Sequence, residues 1–332
     1  MKNSKIVGVG RYLPDRVVTN FDLEKIMDTS DAWIRERTGI VERRFVNPGV
    51  ETTSYMGAQA AKKALDMAGM KAEEIDFIIF ATLSPDFVFP GSGCPMQEHL
   101  ELYGIGAMDI RNQCTGFVYG VATADQFIKT GLYKNILVVG SEVHSTGLDL
   151  TTRGRDVAVL FGDGAGAVVM TATDDKKKGV LTSHLHADGR FTKHLWAEDP
   201  GSVKPGRLSV QMIEEGSIYP YMNGRHVFKN AVTRFPEVIQ ESLDATGYTK
   251  DDIDLVIPHQ ANKRITEAVQ IRLELPPEKV FSNIERYGNT TAASIPIAMS
   301  EAMEMGLIKD NSLVSIASFG SGFTWASSLI RF

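Results

Sequence analysis

This sequence predicts an α/β fold made of two related halves with mixed, mostly parallel sheets. Three observations carry that expectation. Helix-periodic segments alternate with short apolar β-rich runs, a block of sequence recurs half a chain later, and glycines stand where helices must stop. The segment from Leu65 to Ile79 (LDMAGMKAEEIDFII) lies over Leu243 to Ile257 (LDATGYTKDDIDLVI) at a constant offset of 178 (243 − 65), with six identities and no gap. Each copy reads as an amphipathic helix ending at glycine, an acidic turn, and a buried strand. Gly131-Leu132-Tyr133-Lys134 matches Gly306-Leu307-Ile308-Lys309 at an offset of 175 (306 − 131), and each is followed by an apolar β-rich run, Ile136 to Gly140 and Leu313 to Ala317. Helix–strand units of this kind are expected to form parallel sheets with helices on their faces. The halves are expected to divide near Thr173 to Gly179, as residues 1–175 and 176–332. From about Asp188 to Asn223 the pattern lapses into Gly, Pro and charge, an excursion that belongs to neither repeat.

Composition narrows the function classes. The chain has 332 residues, 43% hydrophobic and 23% charged, a globular balance. Its net charge of −6 and the lack of a basic stripe interleaved with aromatics argue against nucleic acid as a partner. Lys176-Lys177-Lys178, the densest basic run, follows Asp174-Asp175 and precedes Gly179, so it reads as a solvated turn. The run after Met1, from Lys5 to Gly10, is too short, and Arg11 and Pro14 follow too soon, for a secretory signal. No stretch approaches transmembrane length, and two cysteines make no disulfide framework, so a cytoplasmic protein away from the membrane is expected.

Candidate chemistry gathers at junctions between elements. Cys114, in Asn112-Gln113-Cys114-Thr115-Gly116, sits where an apolar run gives way to a small-residue helix start. Unpaired N–H groups and the positive end of the helix dipole favour a thiolate there, although a buried cysteine is equally a small core residue. The repeat offsets map Cys114 onto Asn289 (114 + 175) and Ala81 onto His259 (81 + 178), which stands at the end of the second copy's strand after Pro258. Related helix starts meeting across a twofold duplication would bring Cys114, His259 and Asn289 together at strand ends, where α/β proteins place ligands. Asn289 alone also reads as a helix cap. A papain-like protease uses the same three residue types, but its Cys-Gly-Ser-Cys-Trp signature is absent and a duplicated parallel architecture does not suit it. Phe161-Gly162-Asp163-Gly164-Ala165-Gly166-Ala167 leads into an apolar strand instead of opening a helix, which argues against a dinucleotide loop. In Phe319-Gly320-Ser321-Gly322-Phe323 the glycines allow a close backbone approach whose N–H groups suit an oxyanion hole. His184 and His186 alternate along a strand with no cysteine or carboxylate spacing to complete a metal site, and Cys94, before Pro95, reads as a small core residue.

Gly8-Val9-Gly10-Arg11-Tyr12-Leu13-Pro14, Asp28-Thr29-Ser30-Asp31-Ala32-Trp33-Ile34 with Arg37-Thr38-Gly39-Ile40, the run Phe161 to Ala167, His259-Gln260-Ala261-Asn262, and Gly288-Asn289-Thr290 with Ala292-Ala293-Ser294 follow one another in this order. In that set the chain resembles, almost end to end, the β-ketoacyl-acyl carrier protein synthase III family of the thiolase superfamily. The resemblance implies a homodimer with a five-layered αβαβα thiolase-like fold. It implies that Cys114 is acylated from an acyl-coenzyme A. His259 and Asn289 then hold the carbonyl oxygen while malonyl-acyl carrier protein loses carbon dioxide and its carbanion attacks the acyl-enzyme. The backbone N–H groups of Cys114 and Ser321 are expected to receive the tetrahedral oxyanion, Trp33 and Arg155 to sandwich the adenine, and Thr29 and Arg37 to contact the nucleotide end of coenzyme A. Lys229 and Arg264 match residues that receive the acidic carrier protein, a local patch acting against the net charge. Phe89 matches an aromatic residue that reaches into the partner subunit's acyl tunnel. Coenzyme A enters as a thioester substrate, with no permanently bound cofactor and no metal.

Three departures accompany the resemblance. Asn112 and Gln113 precede the thiol where small residues are usual, Ser321 replaces a glycine, and the 188–223 excursion is long. A relative that handles a different or longer acyl chain in a specialised pathway therefore stays open beside the initiation of fatty-acid synthesis. So do a non-catalytic binding protein and a thiol hydrolase on the same fold.

Overall fold

The computed structural model describes residues 2–332. Its framework is nine strands: β1 (Asn3–Tyr12), β2 (Phe77–Ala81), β3 (Gly106–Ile110), β4 (Asn135–Glu142), β5 (Gly164–Thr173), β6 (Gly179–Ala187), β7 (Leu255–Pro258), β8 (Leu313–Gly320) and β9 (Thr324–Arg331). The helices that matter for the site are α1 (Asp31–Thr38), α2 (Thr53–Ala68), α3 (Gly116–Thr130), α4 (Gly224–Thr246), α5 (Lys263–Arg272) and α6 (Ser294–Glu304). The first sheet has the order β1-β5-β4-β2-β3 and the second β7-β8-β9-β6. Read from β6, the second sheet repeats the first: β6, β9, β8 and β7 stand where β1, β5, β4 and β2 stand, with β3 additional.

The repeated blocks fold alike. Helix α2 ends at Gly69 and α4 at Gly247, both in the left-handed conformation that an L side chain resists. A single acidic 3₁₀ turn follows in each, at Ala72–Glu74 and Lys250–Asp252, before strands β2 and β7. Residues from β1, β4, β7 and β8 close with α3 and α6 into one buried cluster between the sheets. Alanine-rich α2 covers the outer face of the first sheet, and α4 and α5 cover that of the second. The layering is therefore αβαβα, with helix starts from both halves in the middle layer.

The sheets are mixed, but parallel pairs do not predominate. β2–β3, β2–β4 and β7–β8 are parallel, whereas β1–β5, β4–β5, β8–β9 and β9–β6 are antiparallel. β9 follows β8 through the short Ser321–Phe323 turn, and such a link must reverse direction, whereas β2–β3 and β7–β8 are joined by longer connections with helices. β4 and β5 are antiparallel although 143–163, with the helix Arg155–Ala158, joins them. The basic run at Lys176 to Lys178 is the turn between β5 and β6. In the excursion, Leu195–Trp196 pairs with Tyr221–Met222 as a small ribbon. Cys94 is exposed, not a core residue; Gly93, Met96 and Leu100 form the inward face of the helix Gly93–Leu100 and turn it to solvent. Among the described residues no helix is long and apolar enough to cross a membrane.

Candidate active site

Cys114 lies in the 3₁₀ turn Gln113–Thr115 that leads into α3, and Asn289 lies just before the matching turn Thr291–Ala293 that leads into α6. These turns are equivalent at an offset of 178, and each opens on a non-glycine residue in the left-handed region, Gln113 at φ 45° and Thr291 at φ 47°. The structural counterpart of Cys114 is therefore Ala292 (114 + 178), and the expected Cys114–Asn289 correspondence is shifted by one helical turn. The smaller offset of 175 holds only at the far ends of these helices, because α6 is shorter than α3. Asn289 reaches the site from three residues ahead of Ala292.

Cys114, His259 and Asn289 nevertheless line one cavity of about 460 Å³. Apolar Leu160, Phe235 and Phe319 form part of its wall, and Leu195 and Met222 enter it from the excursion's ribbon. Sequence reasoning missed these lining residues, since an apolar side chain facing a cavity carries no signal that distinguishes it from core.

Burial sets the protonation of the site. It pushes the Cys114 thiol up to about 12, helped by the negative charge of Glu142, while the N–H groups of Ser321 and of Cys114 itself pull the other way. The thiolate expected at a helix start is thus not favoured at rest. The Ser321 N–H comes to the sulfur because Gly320 lies against it: a Cβ on Gly320 would stand 2.7 Å from Cys114 Sγ. The Ser321 hydroxyl donates to the Leu195 carbonyl and so ties this turn to the ribbon.

His259 follows β7, with its backbone N–H donating to the Ala317 carbonyl of β8 at 2.8 Å. Its Nδ1 is 2.7 Å from Ser294 Oγ at the start of α6. Its Nε2 is buried without a partner, an orphan that a buried site tolerates only with reason. Burial, then neighbouring His144, hold the ring down to about 3, so it is neutral. The Asn289 Oδ1 accepts from the Thr291 N–H at 2.9 Å, which fixes the amide and leaves Nδ2 for the cavity that Asn289 lines. Glu142 and His144 were not singled out from the sequence, and Ser294 was named only within the Ala292-Ala293-Ser294 motif and given no role; they look like ordinary strand-end and helix residues until burial is known.

Trp33 and Arg37 line the mouth of the cavity, the Arg37 guanidinium 4.9 Å from the indole centroid. Arg155 does not line it but stands 5.6 Å from the same indole and donates to the Asp28 carbonyl at 2.6 Å. Thr29 is half-buried outside the cavity, with its hydroxyl unpartnered. Arg264 lines the mouth and packs over Phe228; Lys229 is exposed on α4, one turn after Arg225, which does line it. Phe89 is 82% exposed and lies outside this cavity. His184 and His186 meet on Glu241 of α4, at 3.1 and 2.7 Å, a carboxylate that sequence spacing could not supply.

Residues 108–189 match the family model described as 3-oxoacyl-[acyl-carrier-protein] synthase III, and residues 243–332 match its C-terminal counterpart. The chain is 48% identical to β-ketoacyl-[acyl-carrier-protein] synthase III 1 of Bacillus anthracis over 99% of both chains. It is 50% identical to β-ketoacyl-[acyl-carrier-protein] synthase III of Geobacillus kaustophilus over 98% of both. Its structure superposes with TM-score 0.91 on the crystal structure of 3-oxoacyl-[acyl-carrier-protein] synthase III from Aquifex aeolicus, at 46% identity, covering 99% of this chain and 100% of that one. The likeness runs along nearly the whole chain in both sequence and fold, and the chain belongs to the 3-oxoacyl-[acyl-carrier-protein] synthase III family of condensing enzymes.

Proposed function

We propose that this protein condenses an acyl-coenzyme A primer with malonyl-acyl carrier protein, releasing carbon dioxide and giving a 3-oxoacyl-acyl carrier protein, the first carbon–carbon bond of fatty-acid synthesis. One observation carries the reading. A buried thiol, a neutral imidazole with a free buried Nε2 and an oriented amide share one cavity that Trp33 and Arg37 also line.

In the first half-reaction Cys114 gives its proton to His259 Nε2 and attacks the thioester carbonyl. The N–H groups of Cys114 and Ser321 receive the oxyanion, whose collapse expels coenzyme A as its thiol, the proton returning from His259. The Ser294 hydroxyl can donate to or accept from Nδ1, so the ring can take either tautomer. In the second half-reaction His259 Nε2–H and Asn289 Nδ2–H donate to the malonyl thioester oxygen. The electron pair of the C–C bond to the departing carboxylate becomes the enolate, which attacks the acyl-cysteine; the Cys114 thiolate so released takes up a proton from solvent, one proton being consumed for each carbon dioxide lost. A neutral histidine suits this role, because it donates without having first to lose a charge in a dry site.

At the mouth, Trp33 with Arg155 takes the adenine, Thr29 and Arg37 take the nucleotide end, and exposed Lys229 and Arg264 receive the acidic carrier protein. The halves 1–175 and 176–332 act as one unit, in the cytoplasm, as a homodimer in which Phe89 enters the partner's tunnel; the exposure of Phe87, Val88 and Phe89 supports that pairing.

The test is mass spectrometry after incubation with a panel of acyl-coenzyme A primers, followed by malonyl-acyl carrier protein. An adduct is expected on Cys114 and is abolished in Cys114→Ala; Asn289→Ala forms it at the wild-type rate, His259→Ala still forms it but slowly for want of the proton acceptor, and both lose condensation. An adduct on Cys94, or normal condensation by both variants, overturns the reading.

A further inference from the structure

Behind the cavity, Glu142 at the end of β4 is a fully buried carboxylate with which, among the described residues, no cationic side chain forms an ion pair. It is held instead by donors from two directions. From the loop after β2 come the Thr82 hydroxyl at 3.1 Å, the Leu83 N–H at 3.2 Å and the Ser84 hydroxyl at 2.6 Å. From the turn before α6 comes the Ala292 N–H.

The duplication explains this place. At the offset of 178, Glu142 corresponds to Gly320 and Ala292 to Cys114 (320 − 142, 292 − 114). In one half a glycine packs against the reactive cysteine; in the other a glutamate grips the alanine that took the cysteine's place. The same turn lies directly on β4, where a Cβ on Gly140 would stand 2.3 Å from the Ala292 carbonyl. His144 Nε2 holds the Thr291 hydroxyl at 2.8 Å, and the Thr291 N–H orients Asn289.

We propose that Glu142 is a positioning residue for the condensing half-reaction: by gripping the Thr291–Ala293 turn and the loop after β2 together, it fixes the direction in which Asn289 presents its amide. This rests on the role given to Asn289 above. Two acceptor oxygens are needed, since a glutamine would turn an NH₂ group toward one set of donors. The other ionisable groups around these turns are Cys114, His259 after β7, His144 on the far side of the turn, Asp163 bonded to the His144 N–H, Asp86 in the loop after β2, and Arg43 behind Gly288. Burial raises Glu142 itself to about 7, so its charge reaches Cys114 only on the alkaline side of neutrality.

The experiment compares wild type, Glu142→Gln and the milder Ser84→Ala, each checked for folding by thermal melting, with acetyl-coenzyme A and malonyl-acyl carrier protein. Both variants are expected to acylate Cys114 fully, with the KM for malonyl-acyl carrier protein unchanged. In Glu142→Gln the condensation kcat is expected to fall about tenfold or more, and in Ser84→Ala by less, as for a misaimed group remote from the bond being made. Iodoacetamide is expected to alkylate Cys114 of Glu142→Gln several-fold faster than wild type at about pH 8 and equally fast at about pH 6, where the carboxylate is already neutral. Equal losses of acylation and condensation in both variants, or an alkylation profile like that of wild type, overturn the proposal. Absence of any Cys114 adduct in wild type would instead remove the functional reading beneath it.

Discussion

Gly320→Ala tests whether close packing places the reactive sulfur. Gly320 ends β8 among fully buried residues, and a Cβ built there would stand 2.5 Å from Cys114 Cβ and 2.7 Å from its Sγ, both backbone-anchored neighbours. Carbon atoms rest about 3.5 Å or more apart, so roughly 1 Å must be found by moving the cysteine turn or the strand. Overpacking of this kind costs about 1–3 kcal/mol of stability. The catalytic cost is larger, because a displacement of about 1 Å at the reacting atom lowers a rate on the order of 10²-fold. The same shift withdraws the sulfur from the Ser321 N–H. The assay is the rate of acyl-adduct formation on Cys114 from acetyl-coenzyme A, read by mass spectrometry beside a thermal melt. Gly189→Ala is the control, since a Cβ there meets nothing within 4 Å. Gly320→Ala is expected to remain folded and acylate about 10²-fold more slowly, with Gly189→Ala unchanged. Acylation of Gly320→Ala at the wild-type rate would refute the reasoning.

Ser321→Ala keeps the N–H that meets the sulfur and loses the hydroxyl tie to Leu195, so acylation is expected to stay within a few-fold; Ser321→Pro removes that N–H and is expected to cost about 10²-fold or more in the same assay. A third expectation concerns melting temperature against pH. His144 and His259 are held down to about 3 in the folded protein against an ordinary 6.5, so the unfolded chain binds more protons between those values. Their contribution is intact above about 6.5 and is lost as pH falls through that window. Glu142 has the opposite sign: its folded value of about 7 exceeds the ordinary 4.5, so stability drains as pH rises between them. Glu142→Gln should therefore lose less melting temperature than wild type between about pH 5 and pH 8, and a melting temperature that is flat in both proteins across these ranges would contradict the burial argument.

The duplicated helix, glycine stop, acidic turn and strand were legible because each is a local signal, and the same register recurs at Leu65 and Leu243. Strand direction was not legible in the same way. The β8–β9 turn and a helical crossover can follow equally apolar runs, and even a long connection with a helix, 143–163, joins the antiparallel pair β4–β5. The shortened α6 misled in another manner, because matching the helix ends at Gly131 and Gly306 carried the wrong offset back to the helix starts. Cys94 shows the remaining limit: composition makes a cysteine a core residue by default, and only the helix phase set by Gly93, Met96 and Leu100 turns it outward.

The site was legible where chemistry sits at the end of an element and illegible where burial creates it. Cys114, His259 and Asn289 stand at helix starts and a strand end, places a sequence can mark. Their electrostatics depend on groups that no local pattern marks: Glu142 and His144 beyond Gly140, and Ser294 against His259. The consequence reverses the simplest expectation from a helix dipole. Burial outweighs the dipole, so the resting site holds a thiol and an uncharged imidazole instead of an ion pair. In the proposed reaction charge arises only as bonds change, first on the oxyanion and later on the enolate. Donors fixed in a dry cavity act most strongly on such transient charge, and they need not first be stripped from a standing ion pair. On this argument the energetic work of the site falls to the orientation of the Ser321 N–H, His259 Nε2 and Asn289 Nδ2, and the contacts that aim them are expected to tune the rate, Ser294 and Glu142 from outside the cavity and Gly320 from its wall.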